Sequence, residues 1–120
     1  MDDPFDLERF VTAQAPVYVR ARALLGAGRK TSHWIWFIFP QAKGLGRSPR
    51  SEYFGIGSHD EARAYLAHPL LGPRLKECVG LVLSHGDVPL EEILGDLDAM
   101  KFRSCIALFS DVCGADWLRR

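Results

Sequence analysis

Thr31-Ser32-His33-Trp34-Ile35-Trp36-Phe37-Ile38-Phe39-Pro40-Gln41 is the stretch on which the fold turns. Trp34 to Phe39 are six consecutive large apolar side chains, four of them aromatic. Each is worth roughly 1.5–3 kcal/mol when buried, so the segment belongs inside the molecule. Periodicity does not separate a buried strand from a buried helix in so short a run. Its flanks do. Ser32 is a suitable N-cap, Pro40 ends whatever precedes it, and no second strand-like run exists to satisfy the backbone of a lone strand. A short central helix, buried nearly all round, is expected.

Outward from this segment the chain reads as further helices. Leu7, Phe10, Val11 and Gln14 recur at helical spacing. Pro16 suits the first turn of a second helix, which presents Val17, Ala21, Leu24 and Leu25 on one face and stops at Gly26 and Gly28. Gln14 falls on an apolar face, where a polar group needs partners; it is either a structural hydrogen-bonder or part of a site. On the other side, Ser48-Pro49 reads as the N-cap and first turn of a short helix carrying Arg50 and Tyr53. Ser58-His59-Asp60-Glu61 is a capping box for a helix that buries Ala62, Tyr65 and Leu66. His68 reads as an N-cap-like group, and Gly72-Pro73 as punctuation before a helix with Leu75, Cys78, Val79 and Val82 inward, closed by His85-Gly86; His59 and His85 read as solvated. Pro89 opens a short helix ended by Gly95. Asp98 then caps a long one whose stripe is Phe102, Cys105, Ile106, Phe109, Val112 and Cys113. The fold class expected is all-α: a compact multihelical single domain over residues 1–120 with short buried central helices.

Composition narrows the function classes. A chain of 120 residues is one domain, and no apolar run approaches the ~18 residues of a membrane span. The start, Met1-Asp2-Asp3-Pro4, is acidic where a signal peptide would be basic, so a cytoplasmic location is expected. Cys78, Cys105 and Cys113 form no Cys-x-x-Cys pair and no histidine stands at metal spacing; reduced, buried thiols, no metal and no cofactor are expected. Net charge is zero, which, with no helix-turn-helix pattern, argues against nucleic acid. The charge is nonetheless uneven. No acidic residue lies between Glu8 and Glu52, while Arg9, Arg20, Arg22, Arg29, Lys30, Lys43, Arg47 and Arg50 all do. The acids gather later, from Asp87 to Asp116.

That asymmetry focuses anions near the aromatic run, unless the two ends of the chain simply neutralise each other. His33, at the start of the expected helix, is the candidate acid–base or anchor, or else a core histidine bonded to a backbone carbonyl. Lys30, Lys43 and Arg47 form the candidate charge clamp, and Trp34 or Tyr53 the ring contact, with Gln41, Ser48 and Arg74 completing the set. Gly44-Leu45-Gly46-Arg47-Ser48 offers backbone N–H groups to a phosphate but lacks the Walker pattern. Arg9, Arg74 and Lys101 are charges beside apolar faces, buried against Asp98 or Glu61 or aimed at an anion. Two functions follow: a binder or processor of a small anionic ligand, of nucleotide or ADP-ribose-like kind, or a non-enzymatic interaction module whose aromatic motif is only its core.

Phe10-x-x-Ala13-Gln14, His33-Trp34-x-Trp36-Phe37-Ile38-Phe39-Pro40-Gln41, Gly44-Leu45-Gly46-x-Ser48, Glu61-Ala62-x-Ala64-Tyr65-Leu66-x-His68-Pro69-x-Leu71-Gly72-x-Arg74-Leu75 and Asp98-x-x-Lys101 together resemble a small bacterial family, domain-of-unknown-function family 1810. The resemblance covers roughly residues 3–110. It implies a mainly helical fold with buried central helices and implies no activity. The "calpastatin" label its members often carry does not fit, since such an inhibitor is a disordered repeat chain. Ser104-Cys105-Ile106-Ala107 departs from the family's usual Ser-Ser and Met-Thr-like pairs. The chain also stops at Arg120 where relatives continue, so a homo-oligomer formed through the shortened C-terminus is a further expectation, with Trp117 as the alternative cover.

Overall fold

The computed structural model describes residues 3–28, 35–44 and 48–113. Its helices are α1 (Glu8–Gln14), α2 (Tyr18–Gly26), α3 (Ile35–Ile38), α4 (Pro49–Tyr53), α5 (His59–Ala67), α6 (Leu71–Leu83), α7 (Leu90–Leu94) and α8 (Asp96–Cys113). Among the described residues there is no strand, and no helix is long and apolar enough to cross a membrane. α8 is the backbone of the packing: α5, α7 and α3 lie against it, α6 joins α5 to α2, and α1 sits on α3.

The aromatic segment is a helix, but only one turn of it. Ile35, Ile38 and Phe39 are buried, and Phe39 meets Phe102 of α8 edge-on with ring centroids 4.9 Å apart. Trp36 and Phe37 are half-buried, which corrects the expectation of burial nearly all round. A single turn points successive side chains about 100° apart, so Trp36 packs only partly on the core and also meets two cations. Arg50 stands 5.4 Å and Lys101 4.8 Å from its ring centroid. Ser32, the expected cap, lies outside the described residues. Beyond Pro40 the chain turns extended and makes one isolated parallel bridge, Ala42 to Ile56. Lys43 N–H donates to the Ile56 carbonyl, and Ile56 N–H to that of Gln41, both at 2.9 Å.

Short-range signals behaved as their chemistry requires. Ser48 Oγ accepts from Ser51 N–H at 3.2 Å, and Ser58 Oγ from Glu61 N–H at 3.1 Å. The reciprocal arm of the second cap is displaced by one residue, because Glu61 Oε1 accepts from Gly57 N–H at 2.9 Å. His68 Nδ1 accepts from the N–H groups of Leu70 and Leu71, at 3.1 and 3.2 Å, as an N-cap would. Three boundaries differ from the sequence reading. α2 begins at Tyr18 after Val17 as its cap, so Pro16 precedes the helix and is not part of its first turn. Gly72-Pro73 lies inside the first turn of α6; Pro73 loses nothing there, since a first-turn N–H has no partner within the helix, and a Cβ on Gly72 would stand 2.1 Å from the Leu66 carbonyl oxygen. α8 begins at Asp96, so Asp98 is within its first turn. His59 is exposed as expected, whereas His85 is half-buried and engaged: its Nε2 lies 2.7 Å from the Leu25 carbonyl oxygen at the end of α2.

Candidate functional site

Two buried polar clusters set the geometry around the one-turn helix. In the first, Gln14 is 1% exposed and every arm is engaged. Its Nε2 donates to the Phe37 carbonyl at 2.6 Å and to the Tyr65 hydroxyl at 3.1 Å, and its Oε1 accepts from Arg74 Nη1 at 3.2 Å. Arg74 also lies 4.4 Å over the ring of Tyr18, whose hydroxyl donates to Glu77. Gln14 is thus a structural hydrogen-bonder that satisfies a carbonyl of α3. Burial pushes the Tyr65 hydroxyl above its ordinary range, and drives the Cys78 thiol up to about 12, with Cys105 raised likewise. Both thiols are free and buried, hence protonated and inert at neutral pH.

The second cluster is built on Arg9. Its guanidinium donates to the carbonyls of Tyr53 (2.8 Å), Asp6 (2.9 Å), Gly55 (3.1 Å) and Phe5, and to Glu61 Oε2 at 2.6 Å. The two charged side chains are 8% and 9% exposed. One residue therefore ties the N-terminal segment, the end of α4 and the start of α5 together. Asp3 reinforces the segment by accepting from Leu7 and Glu8 N–H, at 2.7 and 3.0 Å. Those backbone bonds, Glu8's first, hold its carboxyl below the ordinary value.

Above this clamp runs an open groove of about 400 Å³, walled by Phe5, Asp6, Arg9, Lys43, Glu52 and Tyr53. A second, of about 340 Å³, continues past Ala42, Ser58, His59 and Leu108. Lys43 and Gly57 line both. Lys43 is seated by the absence of a side chain opposite it, since a Cβ on Gly55 would come within 2.7–2.9 Å of its Cα, Cβ and Cγ. Its ammonium has no ion-pair partner among the described residues. Tyr53 is 57% exposed and held in a T-shaped contact with Phe54, centroids 4.8 Å apart.

Of the residues singled out from sequence, the fold brings Lys43 and Tyr53 together in this groove. Gln41 lines a separate recess with Trp36 and Ser51, of about 10 Å³, room for one water. Ser48 is occupied as the cap of α4, and Arg74 belongs to the Gln14 cluster. Lys30, His33, Trp34 and Arg47 lie outside the described residues. Two of the unexplained charges found carboxylates, Arg9 on Glu61 and Lys101 on Asp98 at 3.8 Å. Sequence reasoning missed Asp6, Glu52 and Gly55, which share the groove with Lys43 through long-range packing that no local spacing announces. Among the described residues no group of three or more histidines, cysteines or acids is placed to hold a metal.

The class so defined is an all-helical globule knitted by buried side-chain-to-backbone hydrogen bonds, with an amphoteric groove over its arginine clamp. The chain belongs to the family of proteins of unknown function DUF1810, whose pattern it matches over residues 4–119. It is similar to the conserved hypothetical protein Rv1873 from Mycobacterium tuberculosis, whose crystal structure superposes with a TM-score of 0.92 at 52% sequence identity, covering 96% of this chain and 84% of that one. No curated protein matches it.

Proposed function

We propose that the protein binds a small anionic ligand of nucleotide-like size in the groove that meets at Lys43. The observation that carries this reading is Lys43 itself. A lysine whose stem is fixed against backbone, and whose charge has no acceptor among the described residues, stands where two grooves join beside an exposed aromatic ring. A compact ammonium on a seated stem suits a phosphate or carboxylate, and the groove's volume falls in the range of small-molecule sites. Lys30, Arg47 and His33 add to the reading through the acid-free sequence in which they sit. A thermal-shift screen of nucleotides and phosphosugars tests it: a ligand at 100 times its Kd stabilises by about 2.7 kcal/mol. That gain should vanish in Lys43→Ala and shrink in His33→Ala. No stabilisation by any compound overturns the reading.

A second reading, an interaction module without a small ligand, draws on Leu97 and Met100. They are 72% and 63% exposed, one turn apart on α8, while Ile35, Ile38 and Phe39 serve the core. Partner capture that survives Lys43→Ala but fails in Leu97→Ser would favour it.

A further inference from the structure

The groove is not uniformly basic, and its sign pattern specifies more than an anion. Arg9 and Glu61 neutralise each other at 2.6 Å. What remains is Lys43 against two carboxylates, Asp6 and Glu52, neither of which has a side-chain partner among the described residues. Asp6 is fixed there by an unusual backbone: its φ is +51°, a left-handed conformation that aspartate tolerates better than most residues. Arg9 holds its carbonyl, and its N–H donates to the Asp3 carbonyl at 3.0 Å. Glu52 sits on α4 next to Tyr53. A purely anionic compound would be attracted at Lys43 and repelled over the rest of the wall.

Building on the anion-binding reading above, we infer that the ligand is bipolar: a phosphate at Lys43 and a planar, amino-bearing base on the Tyr53 side, its N–H groups donating to Asp6 or Glu52. Carboxylates accept hydrogen bonds from exocyclic amino groups, and base-on-aromatic stacking is tolerant of which base is present. Uracil is disfavoured because its one imide N–H is flanked by two carbonyl oxygens that a carboxylate repels. A phosphosugar has no planar aromatic base to stack and no amino group to donate. The class is therefore an adenine, cytosine or guanine nucleotide, ranked above uridine nucleotides and sugar phosphates.

The test is calorimetric titration of the full chain with AMP, CMP, GMP, UMP and ribose 5-phosphate at one fixed salt concentration. At least one amino-bearing nucleotide should bind about tenfold or more tighter than UMP and ribose 5-phosphate, the loss expected when a hydrogen bond to a charged group is missing. Both carboxylates are exposed, so the double variant Asp6→Asn, Glu52→Gln should keep its fold, checked by circular dichroism, and lose the preference while still binding phosphate. Lys43→Ala should weaken all five. Ribose 5-phosphate or UMP binding as tightly as every amino-bearing nucleotide overturns the bipolar assignment and leaves the anion reading standing; binding by none of the five overturns the assignment and counts against the anion reading as well.

Discussion

Arg9 and Lys43 line the same groove, yet one is consumed by the fold and the other is left over. Arg9 commits its donors to four carbonyls and a carboxylate and is nearly sealed from water. Lys43 rests its stem on Gly55 and gives its charge to nothing among the described residues. Identity of charge therefore says little about role; the inventory of partners decides it. A cation whose every N–H is matched positions other things, and a cation held in place without a match is what a solute can find.

That contrast breaks most visibly at Arg9. Arg9→Ala strands a nearly buried carboxylate and leaves the carbonyls of Phe5, Asp6, Tyr53 and Gly55 without their donor, and should cost about 3–5 kcal/mol, read as a fall in the urea midpoint. A cost under 1 kcal/mol would place Arg9 with Lys43 instead. Gln14→Leu comes next. It removes the partner of the Phe37 carbonyl, the Tyr65 hydroxyl and Arg74 while keeping volume, for about 2–3 kcal/mol by the same measurement. Asp3→Asn should act mainly through pH. The folded-state pKa of Asp3 lies below 3.8, so its contribution is present above that value and fades as pH falls through the folded pKa. The wild type should thus lose its small advantage over Asp3→Asn in acid; for an exposed group the advantage is under about 1 kcal/mol. Smallest is Lys43→Ala, which should leave stability within about 0.5 kcal/mol while abolishing ligand-induced stabilisation. Any larger loss of stability would make Lys43 part of the scaffold.

What could be read in the chain beforehand divides along the same line. Ser48 and Ser58 were legible as caps because a cap and its N–H partner are three residues apart. The core stripe of α8 through Phe102, Cys105 and Phe109 was legible because helical period fixes which residues share a face. Gly72-Pro73 misled because both residues signal breaks, although a first turn tolerates proline and the close approach of Leu66 demands glycine. His85 misled because a glycine neighbour suggests a solvated turn, whereas its ring reaches back to Leu25, 60 residues earlier. The Arg9–Glu61 pair is separated by 52 residues; the sequence offered both charges and two possible carboxylates, and only packing chose. Of the residues that line the groove, Lys43 was singled out from an acid-free segment beside aromatics and Tyr53 as a ring contact, and the fold sets both on one wall. Asp6, Glu52 and Gly55 were not singled out, since each matters only through what the fold brings opposite it.

The four-residue length of α3 has a consequence for how this molecule opens and closes. Starting a helix is unfavourable by a factor on the order of 10⁻³, so a single turn does not persist alone. Here the carbonyl of Phe37 is held by an amide that arrives from 23 residues upstream. Amide protons of α1 and of the aromatic turn should consequently exchange with deuterium in step, as one cooperative unit. A peptide excised around the tryptophans would be coil.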